Sequence, residues 1–283
     1  MGTTRRCPGA IALLSALAAA VSAWAAAPAA AQIETLGPRL LWSDEFNGSG
    51  GRAPDRRRWE VINGGNGFGN RELQYYTRRS INVRLNGHGA LVLSALRGPF
   101  AGSDGFRRSY TSGALQTKGR FQTVYRRLEA RIKIPAGRGL WPAFWAVGSN
   151  VDAVRWPQSG EIDMMENLGN DPFTLLGSIH GPQLGHGRGY ALTTALRMRR
   201  PLSAGYHVYG VDWSPARLVF TFDGVPYSTR TPAGLPHGAT WAFDHPFFLI
   251  LNLAVGGTWP GRPDRHTRFP ARMLVDWVRV YTL

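Results

Sequence analysis

Three acids fall within six residues, Glu161-Ile162-Asp163-Met164-Met165-Glu166, directly after Gly160. Carboxylates that share a site repel one another and raise each other's pKa. In a strand such a cluster contributes nothing to stability. It does place an acid and a base of different strength side by side, which is what hydrolysis of a glycosidic bond requires. A solvated acidic turn or a metal site would account for the same composition.

Strand geometry constrains the cluster further. Successive strand residues point to opposite faces, so Glu161 and Asp163 share a face. Glu166 lies five positions after Glu161 and points the other way in a regular strand. One extra residue, a β-bulge at Met164 or Met165, returns it to the same side, and bulges recur beside active sites because they re-aim side chains. Four effective strand steps span about 13 Å of backbone. Retaining glycosidases hold their carboxylates about 5–5.5 Å apart and inverting ones about 6.5–9.5 Å, and the spacing alone does not choose between them.

The elements that must position these acids read as strands and turns. Leu128, Ala130, Ile132 and Ile134 alternate with Arg127, Glu129, Arg131 and Lys133, the pattern of a half-buried strand. Leu218 to Phe222 leads through Asp223-Gly224 into Val225 to Tyr227, a hairpin signal. Leu91 to Leu96 is a further strand. Phe247 to Val255 is a near-continuous apolar run suited to an inner strand, and Val275 to Tyr281 forms the last. Only Thr193 to Met198 reads as a turn or two of helix. Many strands punctuated by Gly, Pro and Asn predict an all-β, two-sheet sandwich whose concave face can hold a chain-like ligand. Gly64 to Gly69 is glycine-rich, but no helix pattern or Lys-Ser/Thr follows it, which argues against a phosphate-binding loop.

Arg5-Arg6, the apolar stretch Ile11 to Ala26 and the small residues Ala29-Ala30-Ala31 predict a secretory signal peptide over residues 1–31, with Gln32 as the mature start. A short segment, 32–38, then precedes a catalytic domain over 39–283. A secreted protein, extracellular or periplasmic, is expected. No later segment is long and apolar enough to span a bilayer, so no membrane anchor is expected. The single cysteine, Cys7, lies in the leader, so the exported fold must rely on its core. The formal charge is +15 and only Lys118 and Lys133 are lysines. The arginines are spread along the chain without a basic helix or RNA-binding signature. They suit solubility and loose attraction to anionic cell-wall polymers rather than nucleic acid.

Tryptophan is the other informative residue. Trp141 and Trp145 are four apart and share a face if Leu140 to Val147 is a strand; Trp156 precedes Glu161 by five residues. Flat aromatic faces stack on the C–H faces of sugars while the indole N–H still bonds. Core packing is the alternative for each.

Gly160 to Glu166 resembles the catalytic signature of glycoside hydrolase family 16. The form with an extra residue before the last Glu is similar to that of the bacterial endo-β-1,3-glucanases, or laminarinases. Lichenases and xyloglucan transferases of the family usually carry the shorter, unbulged form. The likeness extends to Trp42-Ser43-Asp44-Glu45-Phe46, Gly69 to Thr77, Tyr110-Thr111-Ser112-Gly113, Gly139 to Trp145, Leu251 to Gly257 and Trp259-Pro260-Gly261. It implies a β-jelly-roll sandwich and a retaining double displacement on β-glucan by a monomer. Glu161 would be the nucleophile, Glu166 the acid/base, and Asp163 would keep the two glutamates at different pKa values. Asn70, Trp141, Trp145 and Trp156 would line the glycone subsites, and His180 would lie near the acid/base and the leaving-group sugar. No cofactor is implied for catalysis. A structural calcium, as in many members, would use Glu45, Gly89 and Asp276, in part through backbone oxygens. Thr258 departs from the family pattern, where Asn is common. A transglycosylase, a hydrolase of another polysaccharide such as a galactan, and a non-catalytic β-glucan-binding module are the alternatives on the same scaffold.

Overall fold

The alternation of apolar and polar residues is realised as paired strands. The structure, a computed structural model, describes residues 37–283; the predicted signal peptide and most of the segment 32–38 lie outside the described residues. The first strands are β1 (Leu40–Asp44), β2 (Glu60–Val61), β3 (Gln74–Tyr76), β4 (Val83–Leu85), β5 (Leu91–Ala101), β6 (Arg107–Ser112), β7 (Ala114–Gln116) and β8 (Arg127–Lys133). They are followed by β9 (Leu140–Gly148), β10 (Glu161–Glu166), β11 (Thr174–Gln183), β12 (His186–Arg197), β13 (His207–Ser214), β14 (Arg217–Phe222), β15 (Val225–Arg230), β16 (Phe247–Val255) and β17 (Ala271–Tyr281). A single helical turn, α1 (Val151–Val154), precedes β10.

The strands form two sheets. One runs β15-β14-β13-β8-β17-β5-β6-β3, with β1 and β4 at its margins; the other runs β12-β11-β10-β9-β16-β7-β2. Strands distant in sequence are often neighbours in the sheet: β9 pairs with β16, and β17 lies between β5 and β8. This is the β-jelly-roll sandwich expected. Between the sheets lies one large apolar core that includes Leu128, Ala130, Ile132, Phe144, Ile162, Trp213, Leu249, Leu251 and Val280. Residues of opposite parity on the second sheet face the other way and build the site.

The Asp223-Gly224 turn joins β14 to β15 with φ of +48° and +77°, as a two-residue hairpin needs. The predicted helical turn at Thr193 to Met198 is not present. Residues 193–197 belong to β12, paired along its length with β11. Leu192 and Leu196 are four apart, a spacing that fits one helix face and equally one strand face. Exposure alternates with a period of two from Ala191 to Arg197, so the strand period governs. The predicted inner strand Phe247 to Val255 is β16, between β9 and β7.

Candidate active site

β10 carries the acid cluster between β9 and β11. Glu161 stands opposite Val147 on β9 and His180 on β11; Asp163 stands opposite Trp145 and Ser178. The register then slips. On the β9 side Asp163 pairs with Trp145, Met165 with Phe144 and Glu166 with Ala143, which leaves Met164 as the extra residue. The bulge therefore falls where strand parity demands it, and Glu166 returns to the face of Glu161 and Asp163. Ile162, Met164 and Met165 are fully buried in the core. Apolar burial on one side thus fixes the strand that presents the acids on the other.

The side chains around the acids converge. His180 Nε2 lies 3.2 Å from Asp163 Oδ2 and 3.7 Å from Glu161 Oε1. Trp141 Nε1 donates to Glu166 Oε1 at 3.0 Å. Trp145, on the same face of β9, donates its indole N–H to Asn252 Oδ1 on β16 at 2.7 Å. Trp156 is 43% exposed, stands 6.1 Å from the His180 ring and lies within hydrogen-bond reach of Glu161. Asn70 comes from a loop outside the sheet. Its carbonyl accepts the Thr258 amide at 2.8 Å and its side chain lies close enough to Glu72 to favour that acid's charged form. All eight predicted catalytic and sugar-binding residues thus lie in or against one face of the second sheet.

The cluster is largely closed to water. Asp163 and Glu166 are 2% and 7% exposed. Burial raises the pKa of Asp163 to about 8. Burial, then the Asp163 charge, raises that of Glu166 to about 8, against the opposing donors Trp141 and Ser178. Glu161 is also pushed up, by burial and then by Asp163; His180 and the Trp156 N–H act in the opposite sense.

Some participants carried no assigned role in the sequence reading. Asn252 links Trp145 to the Tyr76 hydroxyl, to which its amide donates at 3.2 Å. Trp259 is 45% exposed and packs edge-on against Trp141, 5.3 Å between ring centroids, extending the aromatic wall. Its Trp-Pro-Gly sequence was a legible signal; the role of Asn252 was not, because only the β9–β16 pairing, which sets Asn252 opposite Ala143, brings it within reach of Trp145.

Metal ligation finds little support. Donor atoms of Glu161, Asp163 and His180 lie within 4.8 Å of one another. His180 Nε2 lies 3.2 Å from Asp163 Oδ2 and 3.7 Å from Glu161 Oε1, so the three donors also serve as an acid–imidazole cluster without an ion. Of the set expected for calcium, two side chains are already engaged by arginines. Glu45 is engaged by Arg279 through bonds of 3.0 and 2.8 Å, and Asp276 by Arg131 at 2.6 Å. The Glu45 carboxylate and Asp276 Oδ2 are thus engaged by arginines, which leaves Asp276 Oδ1 and the backbone oxygens, Gly89 included, for an ion.

The profile of the family described as "Glycosyl hydrolases family 16" matches residues 69–279. The chain belongs to this family. A β-glucanase of Rhodothermus marinus is 38% identical over 252 residues, covering 86% of this chain and 84% of that protein. Among solved structures, the endo-β-1,3-glucanase of Pyrococcus furiosus aligns with a TM-score of 0.79 at 41% identity, over 87% of this chain and 94% of its own. The laminarinase catalytic domain of Thermotoga maritima aligns with a TM-score of 0.80 at 38% identity, over 87% and 98%. The protein is accordingly a glycoside hydrolase of family 16. The departure at Thr258 is accommodated locally: its N–H and Oγ1 both donate to the Asn70 carbonyl, at 2.8 and 3.3 Å. The late strand and the early loop of this family 16 enzyme are tied together there.

Proposed function

We propose that the protein is a secreted, retaining endo-β-1,3-glucanase that cleaves laminarin-like β-glucans. The observation that carries this reading is the bulged β10, which aims Glu161 and Glu166 from one face while Trp141 bonds to Glu166 and His180 faces Glu161. The printed descriptions of the relatives, β-glucanase, endo-β-1,3-glucanase and laminarinase, support β-glucan as substrate and β-1,3 as the linkage.

In the proposed cycle Glu161 is the nucleophile. The cluster cannot ionise all three acids at once. Burial pushes all three acids up; the double displacement needs Glu166 to hold its proton and Glu161, which His180 and the Trp156 N–H favour in its charged form, to be the ionised member. The Glu161 carboxylate attacks the anomeric carbon. The glycosidic C–O bond breaks as Glu166 delivers its proton to the leaving oxygen, and a glycosyl-enzyme forms. Glu166, now ionised, takes a proton from water. That water attacks the same carbon and releases Glu161, with net retention. Trp141, Trp145 and Trp156 offer stacking faces for successive sugars, and Asn70 a polar edge. The open face suits internal cleavage of a long chain.

Purified enzyme is expected to release reducing ends from laminarin with retained anomeric configuration, and Glu161→Gln to abolish the release. If wild-type protein leaves laminarin, mixed-linkage glucan and other β-glucans intact, the reading fails. Export is tested by the N-terminus of protein recovered outside the cytoplasm, expected at Gln32.

A further inference from the structure

The cleft leaves the arginines unexplained. They supply nearly all of the positive side chains behind the formal charge of +15. Carboxylates pair with Arg57, Arg58, Arg127, Arg131, Arg197 and Arg279. Arg84, Arg97 and Arg272 are not among these pairs. All three lie along one groove on the outer face of the first sheet, the side of the sandwich away from the acid cluster.

Strand pairing gathers them. The first half of β5 lies between β4 and β17, with Arg84 opposite Val92 and Arg272 opposite Ser94. Leu91, Leu93 and Ala95 are buried in the core, so Ser94 and Leu96 point outward between the two arginines. Arg84, Ser94, Leu96 and Arg272 line a cavity of about 360 Å³, with Ile81 and Pro270 as an apolar ledge. A second cavity of about 300 Å³ adjoins it through Leu96 and Pro270 and is lined by Arg97. The Arg97 guanidinium is steadied over the rings of Phe269 and Tyr110, at 5.4 and 5.9 Å. Among the described residues no Asp or Glu lines either cavity.

Ser94 is an observation independent of charge. The residue is 2% exposed. Its N–H donates to the Asn82 carbonyl and its carbonyl accepts from Asn82 Nδ2, both at 2.8 Å. Its Oγ is buried and has no hydrogen-bond partner. A buried hydroxyl is costly to leave unpaired. This one sits at the floor of the first cavity, across from Arg272, where a ligand oxygen would satisfy it.

We propose that this groove is a second glycan site, separate from the cleft, which takes an acidic polysaccharide through its carboxylate or sulfate groups. Guanidinium forks match planar and tetrahedral oxyanions, and the Ser94 hydroxyl adds a donor. The cavity is of the size that holds a small organic ligand rather than a bare ion. The ledge of Ile81, Leu96 and Pro270 offers an apolar surface to the C–H face of a sugar. Arginines in both cavities suit charges that recur along a chain. Phe269, the ring lining the second cavity, is covered by Arg97, so it gives a nucleic-acid base no free face to stack on. The site would hold the enzyme on a matrix in which acidic and neutral glycans are mixed.

Binding is read by isothermal titration at about 0.15 M salt, where charges more than about 8 Å away are largely screened. The probes are tetragalacturonate, a sulfated tetrasaccharide, and inorganic phosphate and sulfate. One of the two oligosaccharides is expected to bind, and Arg84→Gln/Arg272→Gln to weaken it at least about 10-fold. Arg199→Gln/Arg200→Gln removes the same charge from exposed positions after β12 and is expected to change Kd by less than about 2-fold. Ser94→Ala is expected to weaken binding about 3-fold and to leave Tm unchanged or raised, whereas loss of a hydroxyl that served the fold would lower it. The Tm of each variant checks its folding, and kcat and KM on laminarin are expected to stay at their wild-type values. The inference is overturned if neither oligosaccharide binds, if the two double variants lose affinity equally, or if the inorganic ions bind as tightly as the oligosaccharides. None of the probes is a β-glucan, so the outcome is independent of the reading of the cleft.

Discussion

Trp141 donates its indole N–H to Glu166 at 3.0 Å and so favours the ionised form of that acid. Removal of the donor leaves burial less opposed, and the pKa of Glu166 rises further above about 8. Glu166 must hold its proton for the first step, so a higher pKa extends activity to more alkaline pH. Trp141→Phe is expected to move the basic limb of kcat upward by about 0.5–1 pH unit while keeping a stacking face. A pH–rate profile on laminarin checks this, and a downward shift would exclude Glu166 as the group behind that limb. Glu166→Gln removes the proton donor itself and is expected to lower kcat by about 10²–10⁴-fold. Aryl glycosides with good leaving groups should be less affected, because they need less protonation.

At the scale of the element, the bulge in β10 is the feature to test. Met164 is the residue without a partner on β9: Asp163–Trp145, Met165–Phe144 and Glu166–Ala143 are already paired around it. Deletion of Met164 therefore leaves each flanking pair able to form and produces a regular strand in which Glu161, Asp163 and Glu166 still share a face. What changes is the aim of Glu166 and the packing of a fully buried methionine. The deletion variant is expected to fold, by near-ultraviolet circular dichroism, with kcat on laminarin reduced about 10²-fold because a shift of the acid of about 1 Å is enough for that loss. Retention of full kcat would show that the bulge does not aim the acid/base. The same element shows why the helical reading of Thr193 to Met198 failed. An apolar spacing of four serves both periods, and only pairing of β12 with β11 selects one.

For the whole molecule, the buried acids link stability to pH. Asp163 and Glu166 are raised to about 8 and Glu72 to about 7, above their ordinary values of 3.8 and 4.5. The folded state thus keeps protons that the unfolded chain has released. The stabilisation is complete below about pH 4 and is lost as pH rises through 7 to 8. Tm is expected to fall by about 5 °C or more between about pH 5 and pH 8. Asp163→Asn should flatten that dependence; an unchanged slope in the variant would assign it elsewhere. Calcium is tested at the same scale. Glu45 and Asp276 are held by Arg279 and Arg131, so chelation is expected to leave Tm within about 1 °C. A larger drop would point to a cation held by backbone oxygens.

Much of this enzyme was legible in its residues because strand parity is local. The period-two pattern of β8, the apolar run of β16, the Asp223-Gly224 turn and the need for a bulge between Asp163 and Glu166 all follow from neighbours along the chain. So does the shared face of Trp141 and Trp145. What the tertiary structure alone decided depends on partners far apart in sequence. Asn252 reaches Trp145 across 107 residues and Tyr76 across 176. Arg279 engages Glu45 across 234, which withdraws that carboxylate from a metal. The burial that raises Glu72, Asp163 and Glu166 likewise comes from strands closing around them. A sequence states which side chains are available and which way a strand turns them. Desolvation and hydrogen-bond partnership are properties of the assembled sheets, and they determine which of those acids hold their protons.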